Sequence, residues 1–430
     1  MKTIMDLPDE VLERIFTNLV KINLTSSMWL PIAIYEHVKQ QEVAKRIRLI
    51  SEMRLVCRKW AEWFYQRHLY DQLSFKCSSR ATAFINELAR RPKTLPPPQC
   101  RYLKVQELWT WGLVLVAPPG KAEFKNLDAL IDQFSETIVA LEIQAVNLFT
   151  LPISTIERIG RIPNLRSLRL GIHLTRVGGG KTKSGSSVHR DLMIDGLPTD
   201  SECLVSLLRA AQGVVSLDLT NFRPICSPSS LGEDLHGHQF TSITTLKLDV
   251  KNEGDPTLDG IVRLATRLPN LKVLWIGGPG HMGDDLIPLF EVLRERLEEL
   301  FVTDARVIRH ALNLNFPRLR VIRVHEWDRE FEQFLPQPMF ASVEILALNC
   351  YPFHKRKKKA SLWVPFETLP HLRRLELHEA SEFPPPRSIE ARCEDHGVEC
   401  VYACHDIFEE DGRPNLDFDA PSALMNQLRI

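Results

Sequence analysis

The sequence lacks the features that would assign it to a membrane, secreted or nucleic-acid-binding class. Apolar stretches such as LVLVA at 113–117 are far too short to cross a bilayer. Neither charge sign dominates, because 54 basic residues balance 54 acidic ones, so no net field favours nucleic acid or a membrane surface. The N-terminus has Asp6, Asp9 and Glu10 where a signal peptide needs an apolar run. We therefore expect no nucleic-acid or membrane partner and a cytoplasmic location, a nuclear one, or both.

A disulfide framework and catalytic motifs are also missing. The nine cysteines are an odd number scattered over 430 residues, which predicts a reducing compartment. We find no nucleophile elbow, no HExxH and no carboxylate pair at a telling spacing. GGGKTKSG (178–185) has Thr175 where a phosphate-binding loop requires glycine, so we interpret this stretch as a mobile insertion. HMGDD (281–285) is typical of a helix cap. We expect a non-catalytic chain without a cofactor or a metal.

One apolar pattern recurs along most of the chain. An apolar residue is followed by two others, a second apolar residue, one other and a third, at intervals of 22 to 29 residues with a single interval of 49. This period is typical of leucine-rich repeats, in which each unit is a short strand and a returning helix or turn. The nine instances are IVALEI (138–143), LRSLRL (165–170), VVSLDL (214–219), ITTLKL (243–248), LKVLWI (271–276), LEELFV (297–302), LRVIRV (319–324), VEILAL (343–348) and LRRLEL (372–377).

The segments between these strands favour a returning helix. LDGIVRLATRLPN (258–270) and LIPLFEVLRERLEE (286–299) carry apolar residues every three or four positions. We predict an α/β fold in which an N-terminal helical domain precedes a leucine-rich-repeat solenoid with a curved parallel sheet. The solenoid is predicted over 138–430 with a C-terminal cap, and 76–137 is predicted to be a linker with the first, irregular repeats.

The first 75 residues carry a different signature, made of two amphipathic helical segments. In LPDEVLERIF (7–16), Pro8 suits the first helical position, and apolar residues then recur at helical spacing. RLVCRKWAEWF (54–64) has a second apolar face. Together they resemble the F-box motif, and HLYDQLSF (68–75) resembles the segment after the box in many fungal F-box proteins with leucine-rich repeats. The matching residues are Leu7, Pro8, Glu10, Val11, Leu12, Ile15, Arg54, Leu55, Val56, Cys57 and Trp60.

This resemblance implies a substrate receptor of an SCF ubiquitin ligase. The F-box would bind the Skp-type adaptor and, through it, the cullin and RING subunits, while the repeats hold a protein substrate. The apolar helical faces would then enter grooves of the adaptor. The residues implied to bind the adaptor are Leu7, Pro8, Val11, Leu12, Ile15, Phe16, Leu55, Val56, Cys57 and Trp60.

The two halves of the box are farther apart than in a typical F-box, since Leu19 and Val56 lie 37 positions apart. We interpret 1–75 as an F-box domain with an insertion around 21–50, since loop length changes closure entropy only slowly. Two alternatives remain open. The helices could instead cap the first repeat within the same chain, and the repeats could form an interaction scaffold that recruits no ligase.

Two clusters outside these domains have competing interpretations. Cys393, His396, Cys400, Cys404 and His405 are residue types that bind zinc, but their spacing matches no paired C-x-x-C knuckle. VECVYA also alternates as a last strand would, with Cys400 as a small buried hydrophobe. HKRKKK (354–359) is either a nuclear-import signal or a solvated loop.

The repeat pattern also predicts which residues contact a substrate. The second and third apolar residues of each unit should point into the core, so the residue between them should face the concave side. Trp275 and Phe301 should therefore be adjacent on an open face, with cations beside them, and should suit an acidic or phosphorylated segment. A loop or the C-terminal tail covering the aromatic rings is the alternative. The predicted substrate-binding residues are Arg169, Lys247, Trp275, Phe301 and Arg323.

Overall fold

The fold is taken from a computed structural model of the chain. The structure describes residues 11–12, 64, 70–91, 97–109, 124–146, 149–173, 200–222, 235, 237–250, 259–278, 286–327, 330–350, 364–378, 387–403, 408–409 and 413–414. Among these residues, no helix combines the length and the apolar character that a membrane crossing requires.

A parallel sheet of twelve strands is the main element of the structure, and its strand order is the order of the chain. Sequential order with one direction throughout is the topology of a repeat array, in which each returning segment leads to the next neighbouring strand. The strands are β1 (Gln72–Phe75), β2 (Tyr102–Trp109), β3 (Ala140–Val146), β4 (Ser167–His173), β5 (Ser216–Asn221), β6 (Thr245–Asp249), β7 (Val273–Gly277), β8 (Glu299–Asp304), β9 (Val321–Glu326), β10 (Ile345–Asn349), β11 (Arg374–His378) and β12 (Glu399–Ala403).

All nine predicted repeat strands are present, as β3 to β11, and the last strand expected at VECVYA is β12. The array also begins earlier than the predicted start at 138. β1 lies at the end of the segment assigned to the F-box domain, and it pairs in parallel with β2. Residues 76–137 thus contribute a regular strand to the sheet. A further antiparallel pair joins β13 (Phe408–Glu409) and β14 (Arg413–Pro414).

Helices and short 3₁₀ segments return the chain between strands. The predicted helices over 258–270 and 286–299 are confirmed in part, since each ends several residues before the next strand. Besides the helical positions 11, 12 and 64, the helices among the described residues are α1 (Ser78–Arg90), α2 (Phe124–Phe134), α3 (Ile153–Gly160), α4 (Asp200–Ala210), α5 (Asp259–Thr266), α6 (Ile287–Leu293), α7 (Phe331–Phe334) and α8 (Arg387–Asp395), and the 3₁₀ segments are Ala305–Ala311, Pro338–Phe340 and Phe366–Thr368.

The repeated leucines form the core because the strands pair in register. Leu246 lies beside Leu274, and Leu274 lies beside Leu300, so equivalent positions of successive repeats are neighbours. All three side chains have no exposed surface. Since burying a leucine contributes about 1.5–3 kcal/mol, a column of these residues provides much of the stability of the array.

The described chain divides into two compact units. The first comprises Met1–Gln144 and Pro152–Leu165, and the second comprises Ala145–Leu151 and Arg166–Ile430. In the first unit, Phe84 of α1 stacks on Phe134 of α2, with 6.3 Å between ring centroids. The Asn126 side chain donates to Ser78 Oγ at 2.6 Å, which also joins these two helices. The second unit contains β4 to β12 and the predicted substrate-binding residues.

Candidate partner-binding face

The second unit presents one row of side chains on the sheet face opposite the leucines. We call this set the central row, and it consists of Arg169, Asp218, Lys247, Trp275, Phe301, Arg323, Ala347 and Glu376. Lys247 pairs with Trp275, Trp275 with Phe301, and Phe301 with Arg323. The predicted adjacency of the aromatic residues and their flanking cations is therefore confirmed.

The prediction that the side chains of the central row are exposed to solvent is wrong. Trp275 is 3% exposed and Phe301 is 6% exposed, and together they form a buried apolar cluster with Val273 packed against it. Of the cations, Lys247 is 1% exposed, Arg169 is 8% exposed and Arg323 is 7% exposed. Strand alternation determines which face of a sheet a side chain is on, but the rest of the chain determines whether water reaches that face.

Trp275 packs along its own strand over a glycine. A Cβ atom built on Gly277 would lie 2.9 Å from Trp275 Cη2, closer than nonbonded carbon atoms approach. The Arg323 guanidinium lies over the Phe301 ring on the other side, with 5.2 Å between Cζ and the ring centroid. The Trp275 ring thus packs over Gly277, which has no side chain, and the Phe301 ring makes a cation–π contact with Arg323.

The cations of the central row have acidic partners within the row. Arg169 Nε donates to Asp218 Oδ2 at 2.6 Å, and Arg323 Nη1 lies 3.3 Å from Glu376 Oε2. The expectation of cations free to bind an acidic or phosphorylated segment is therefore wrong for these two arginines. Ala347 on the intervening strand β10 has too small a side chain to separate Arg323 from Glu376, although β9 and β11 lie about 9.6 Å apart.

Asp218 is the most strongly paired carboxylate of the row. Burial raises its pKa, but the charges of Arg169 and Lys247 and two hydrogen bonds from Thr220 outweigh burial and lower the pKa to about 2. The Thr220 hydroxyl donates to Asp218 Oδ1 at 2.7 Å, and the Thr220 amide donates to the same oxygen at 3.0 Å. This carboxylate remains ionised at every physiological pH.

Glu299 and Glu376 have pKa values that move in opposite directions. Burial raises the pKa of Glu299 to about 7; the charge of Arg323 opposes this rise, and Glu298 and Glu376 add to it. Burial also raises the pKa of Glu376, but a hydrogen bond from His378 and the charges of Arg323, His378 and Arg374 outweigh burial and lower the pKa overall. Arg323 therefore lies between one carboxyl that titrates near neutrality and one that stays ionised.

Two donors on this face lack acceptors. Within the described part of the chain, neither Trp275 Nε1 nor Arg323 Nε has a hydrogen-bond partner, and both atoms are buried. Both groups can only donate, so an acceptor oxygen is the chemical group that would satisfy them. Half-exposed residues surround this buried centre at the strand ends, namely Thr245, Asp249, Val273, Thr303 and His325.

The first unit contains one further polar site in the equivalent repeat position. Glu142 has no exposed surface. It contacts Lys104 Nζ at 2.9 Å, accepts from Gln144 Nε2 at 2.7 Å, and accepts from the Tyr102 hydroxyl. A buried carboxylate with three donors is well compensated, so Glu142 is a structural residue of β3.

Most of the predicted adaptor-binding residues lie outside the described residues. Val11 and Leu12 are the two that the structure describes, and both are helical as predicted. Val11 is 40% exposed, whereas Leu12 is 7% exposed. The predicted adaptor contacts of both residues stay a prediction. The remaining eight are Leu7, Pro8, Ile15, Phe16, Leu55, Val56, Cys57 and Trp60.

The C-terminal cysteine and histidine cluster is divided in the structure. The described residues contain no group of three side chains that could hold a metal. His396 stacks on Phe366 with 5.1 Å between centroids, whereas Cys393 is buried and Cys400 is half-buried. Cys404 and His405 lie outside the described residues, as do the segments 178–185, 281–285 and 354–359.

Comparisons with known proteins give only a structural likeness. No family model matches the chain, and no curated protein matches its sequence. Among solved structures, the leucine-rich repeat-containing protein LegL7 from Legionella pneumophila is similar, with 14% identity and a TM-score of 0.42 over 80% of this chain and 92% of that chain. That score is too low to support any further conclusion. The strand order, the register and the buried leucine columns by themselves define a leucine-rich-repeat-like array.

Proposed function

We propose that this chain is a non-catalytic protein-interaction subunit, and that it acts as the substrate receptor of an SCF-type ubiquitin ligase. The twelve-stranded array is the observation that carries the interaction role. A repeat array presents equivalent side chains side by side on successive strands, so it offers a partner a row of neighbouring contact positions.

The N-terminal signature supports the ligase part of the proposal. The LPDEVLERIF and RLVCRKW segments match the two halves of an F-box motif. Val11 in the first segment is helical and 40% exposed, as a residue that contacts a partner should be. The F-box would bind the Skp-type adaptor, and cullin and RING subunits would follow through it. The chain would contribute proximity between substrate and transfer site, while other subunits perform the chemistry.

Substrate contact would begin at the half-exposed rim of the sheet face. Asp249, Thr303 and His325 lie at the carboxyl ends of β6, β8 and β9, beside the buried Trp275 and Phe301. A buried centre with a polar rim is the arrangement found in protein interfaces. Arg169 is already paired with Asp218, and Arg323 is already paired with Glu376. A partner that hydrogen-bonds to the rim is therefore favoured over one that brings an unpaired charge.

Adaptor binding by the full-length chain tests the ligase proposal. Ile15→Glu should weaken binding of a purified Skp-type adaptor by at least ~2 kcal/mol, roughly 30-fold, because it places a charge at the centre of the implied anchor. Ile153→Glu is the matched control, since Ile153 in α3 is 76% exposed and lies outside the motif. Binding is measured by calorimetry, and thermal unfolding checks that both variants are folded.

The pattern of results separates the two proposed roles. An unchanged affinity in folded Ile15→Glu, or no adaptor binding by the unaltered chain, would contradict a ligase receptor. The chain would then be a repeat scaffold that binds partners without recruiting a ligase.

A further inference from the structure

The last strand of the twelve-stranded sheet is an edge strand. Within the described part of the chain, β12 pairs with β11 on one side and with no strand on the other. The antiparallel pair of β13 and β14 follows in the chain but forms a separate sheet. Natural proteins usually block a sheet edge with proline, lysine or a β-bulge. β12 (ECVYA) contains neither proline nor lysine, and its register with β11 is unbroken over all five residues.

The backbone of β12 directs alternate residues toward this outer edge. The Glu399 amide donates to the Arg373 carbonyl at 2.8 Å, so the backbone of Glu399 faces β11. In a parallel ladder, the amide and carbonyl of one residue point to the same neighbouring strand, and those of the next residue point to the opposite side. Cys400 and Tyr402 therefore direct their amides and carbonyls away from β11. An extended segment laid along β12 would pair with these groups.

The leucine face of the sheet extends to the same edge and is partly exposed there. Leu375 and Leu377 of β11 have no exposed surface, and the register places Cys400 and Tyr402 beside them. Cys400 is half-buried, and Tyr402 is 40% exposed. In a repeat array, each unit covers the apolar positions of the unit before it. Apolar side chains of an added strand would cover Cys400 and Tyr402 in the same way.

Two carboxylates of α8 lie on the side of the helix that faces this edge. Glu390 accepts a hydrogen bond from the Tyr402 hydroxyl, which places its carboxylate next to β12. Glu394 follows one helical turn later and so lies on the same side of the helix. Both side chains are exposed, and within the described part of the chain neither of them forms an ion pair.

Two cations near β12 have partners of their own. On the opposite face of the sheet, Arg374 Nε donates to Glu399 Oε2 at 2.8 Å, which pairs one cation with one anion. Arg392 of α8 donates its Nη2 to the Val364 carbonyl at 2.7 Å. Glu390 and Glu394 therefore make this edge acidic. Such a charge attracts a basic segment and repels a second copy of the same edge.

We propose that the outer edge of β12 binds an extended, basic segment of a partner protein, which adds to the sheet as a further strand. The main chain of the segment pairs with Cys400 and Tyr402, and its apolar side chains cover these two positions on the leucine face. Its basic side chains lie near Glu390 and Glu394. In this mode of recognition the main-chain hydrogen bonds provide affinity, and the side chains provide specificity. The inference is independent of the proposed function.

Binding of synthetic peptides to the full-length protein tests the proposal. The probe is a peptide of about seven residues, within the usual length of a strand, in which lysine and valine alternate. One matched control replaces lysine by glutamate. A second control replaces valine by proline, which keeps the charge but removes main-chain donors. Fluorescence polarisation of the labelled peptides should give a Kd below ~1 mM for the probe and at least ~10-fold weaker binding for both controls.

Two substitutions locate the site. Cys400→Pro removes an amide that points to the outer edge and keeps the bonds to β11, whereas Cys400→Ala retains that amide. Cys400→Pro should weaken binding of the probe roughly 5-fold or more, and Cys400→Ala should change it less than about 2-fold. Thermal unfolding checks that both variants are folded. In the unaltered protein, the probe should also slow amide exchange of Glu399–Ala403, and this measurement decides the outcome if Cys400→Pro does not fold.

Several results would overturn the proposal. Equal binding of the probe and either control peptide would show that the acidic edge or strand pairing is not what the protein recognises. No binding of the probe at ~1 mM, equal binding to folded Cys400→Pro, or protection of a segment other than Glu399–Ala403 would show that the edge of β12 is not the site. A dimer of the unaltered protein that Cys400→Pro abolishes would show that a second copy occupies the edge instead of a basic segment.

Discussion

Replacing Glu299 by glutamine should stabilise the protein at alkaline pH and leave its stability unchanged at acid pH. Glu299 is 7% exposed and is flanked in register by Val273 and Val321, so its carboxylate loses much of its hydration on folding. Burial accordingly raises its pKa from 4.5 to about 7. Glutamine has nearly the same shape and carries no charge, so the substitution removes the ionisation and little else.

The sign and size of the effect follow from proton linkage. The folded carboxyl binds its proton more tightly than the unfolded one, so its contribution to stability is complete below pH 4.5 and is lost as the pH rises through about 7. The pKa difference corresponds to about 3 kcal/mol. The free energy of unfolding of Glu299→Gln minus that of the unaltered protein should therefore rise from near zero at pH 4.5 to about 3 kcal/mol at pH 8.5.

Urea unfolding across this pH range measures that difference, with the free energy taken from the midpoint and slope of the transition. Glu376→Gln is the matched control on the same face. Its pKa is lowered, so its stabilising contribution is present above pH 4.5 and is lost as the pH falls. Glu376→Gln should therefore destabilise the protein most at pH 8.5. If the free energies of unfolding of Glu299→Gln and the unaltered protein differ by the same amount from pH 4.5 to 8.5, the assignment of Glu299 as a buried carboxyl is refuted.

Two further predictions concern the same sheet face. Asp218→Asn should destabilise the protein by about 3–5 kcal/mol at pH 7, because it leaves buried Arg169 and Lys247 without their carboxylate, and the loss should shrink only as the pH falls from 3.8 towards about 2. Urea unfolding at several pH values measures it, and a loss below 1 kcal/mol at pH 7 would contradict the buried pairing. Gly277→Ala should cost about 1–3 kcal/mol and change tryptophan fluorescence, because the new Cβ displaces the Trp275 ring. Unaltered stability and emission would show that Trp275 does not pack over Gly277.

The sequence by itself was sufficient to predict the nine repeat strands and the register in which they pair. The leucine pattern returns at a nearly constant interval, and each strand alternates its side chains between two faces, so equivalent residues of successive repeats have to be neighbours. This reasoning correctly predicted that Lys247, Trp275, Phe301 and Arg323 lie side by side on β6 to β9. It missed β1, which lies in the segment assigned to the F-box, and it gave no bounds for β2 within the irregular repeats predicted over 76–137, because QLSF and YLKVQELW alternate without the full repeat pattern.

The tertiary structure alone decided which of these residues are accessible and which are paired. Burial depends on every part of the chain within a few ångströms, and no local pattern specifies that, so Trp275 and Phe301 are buried where an open face was expected. The pairing of Arg323 with Glu376 depends on a small side chain on the strand between them. The left-handed conformation of Gly397, which ends α8 and leads the chain into β12, is likewise a feature that the alternation of apolar residues does not specify.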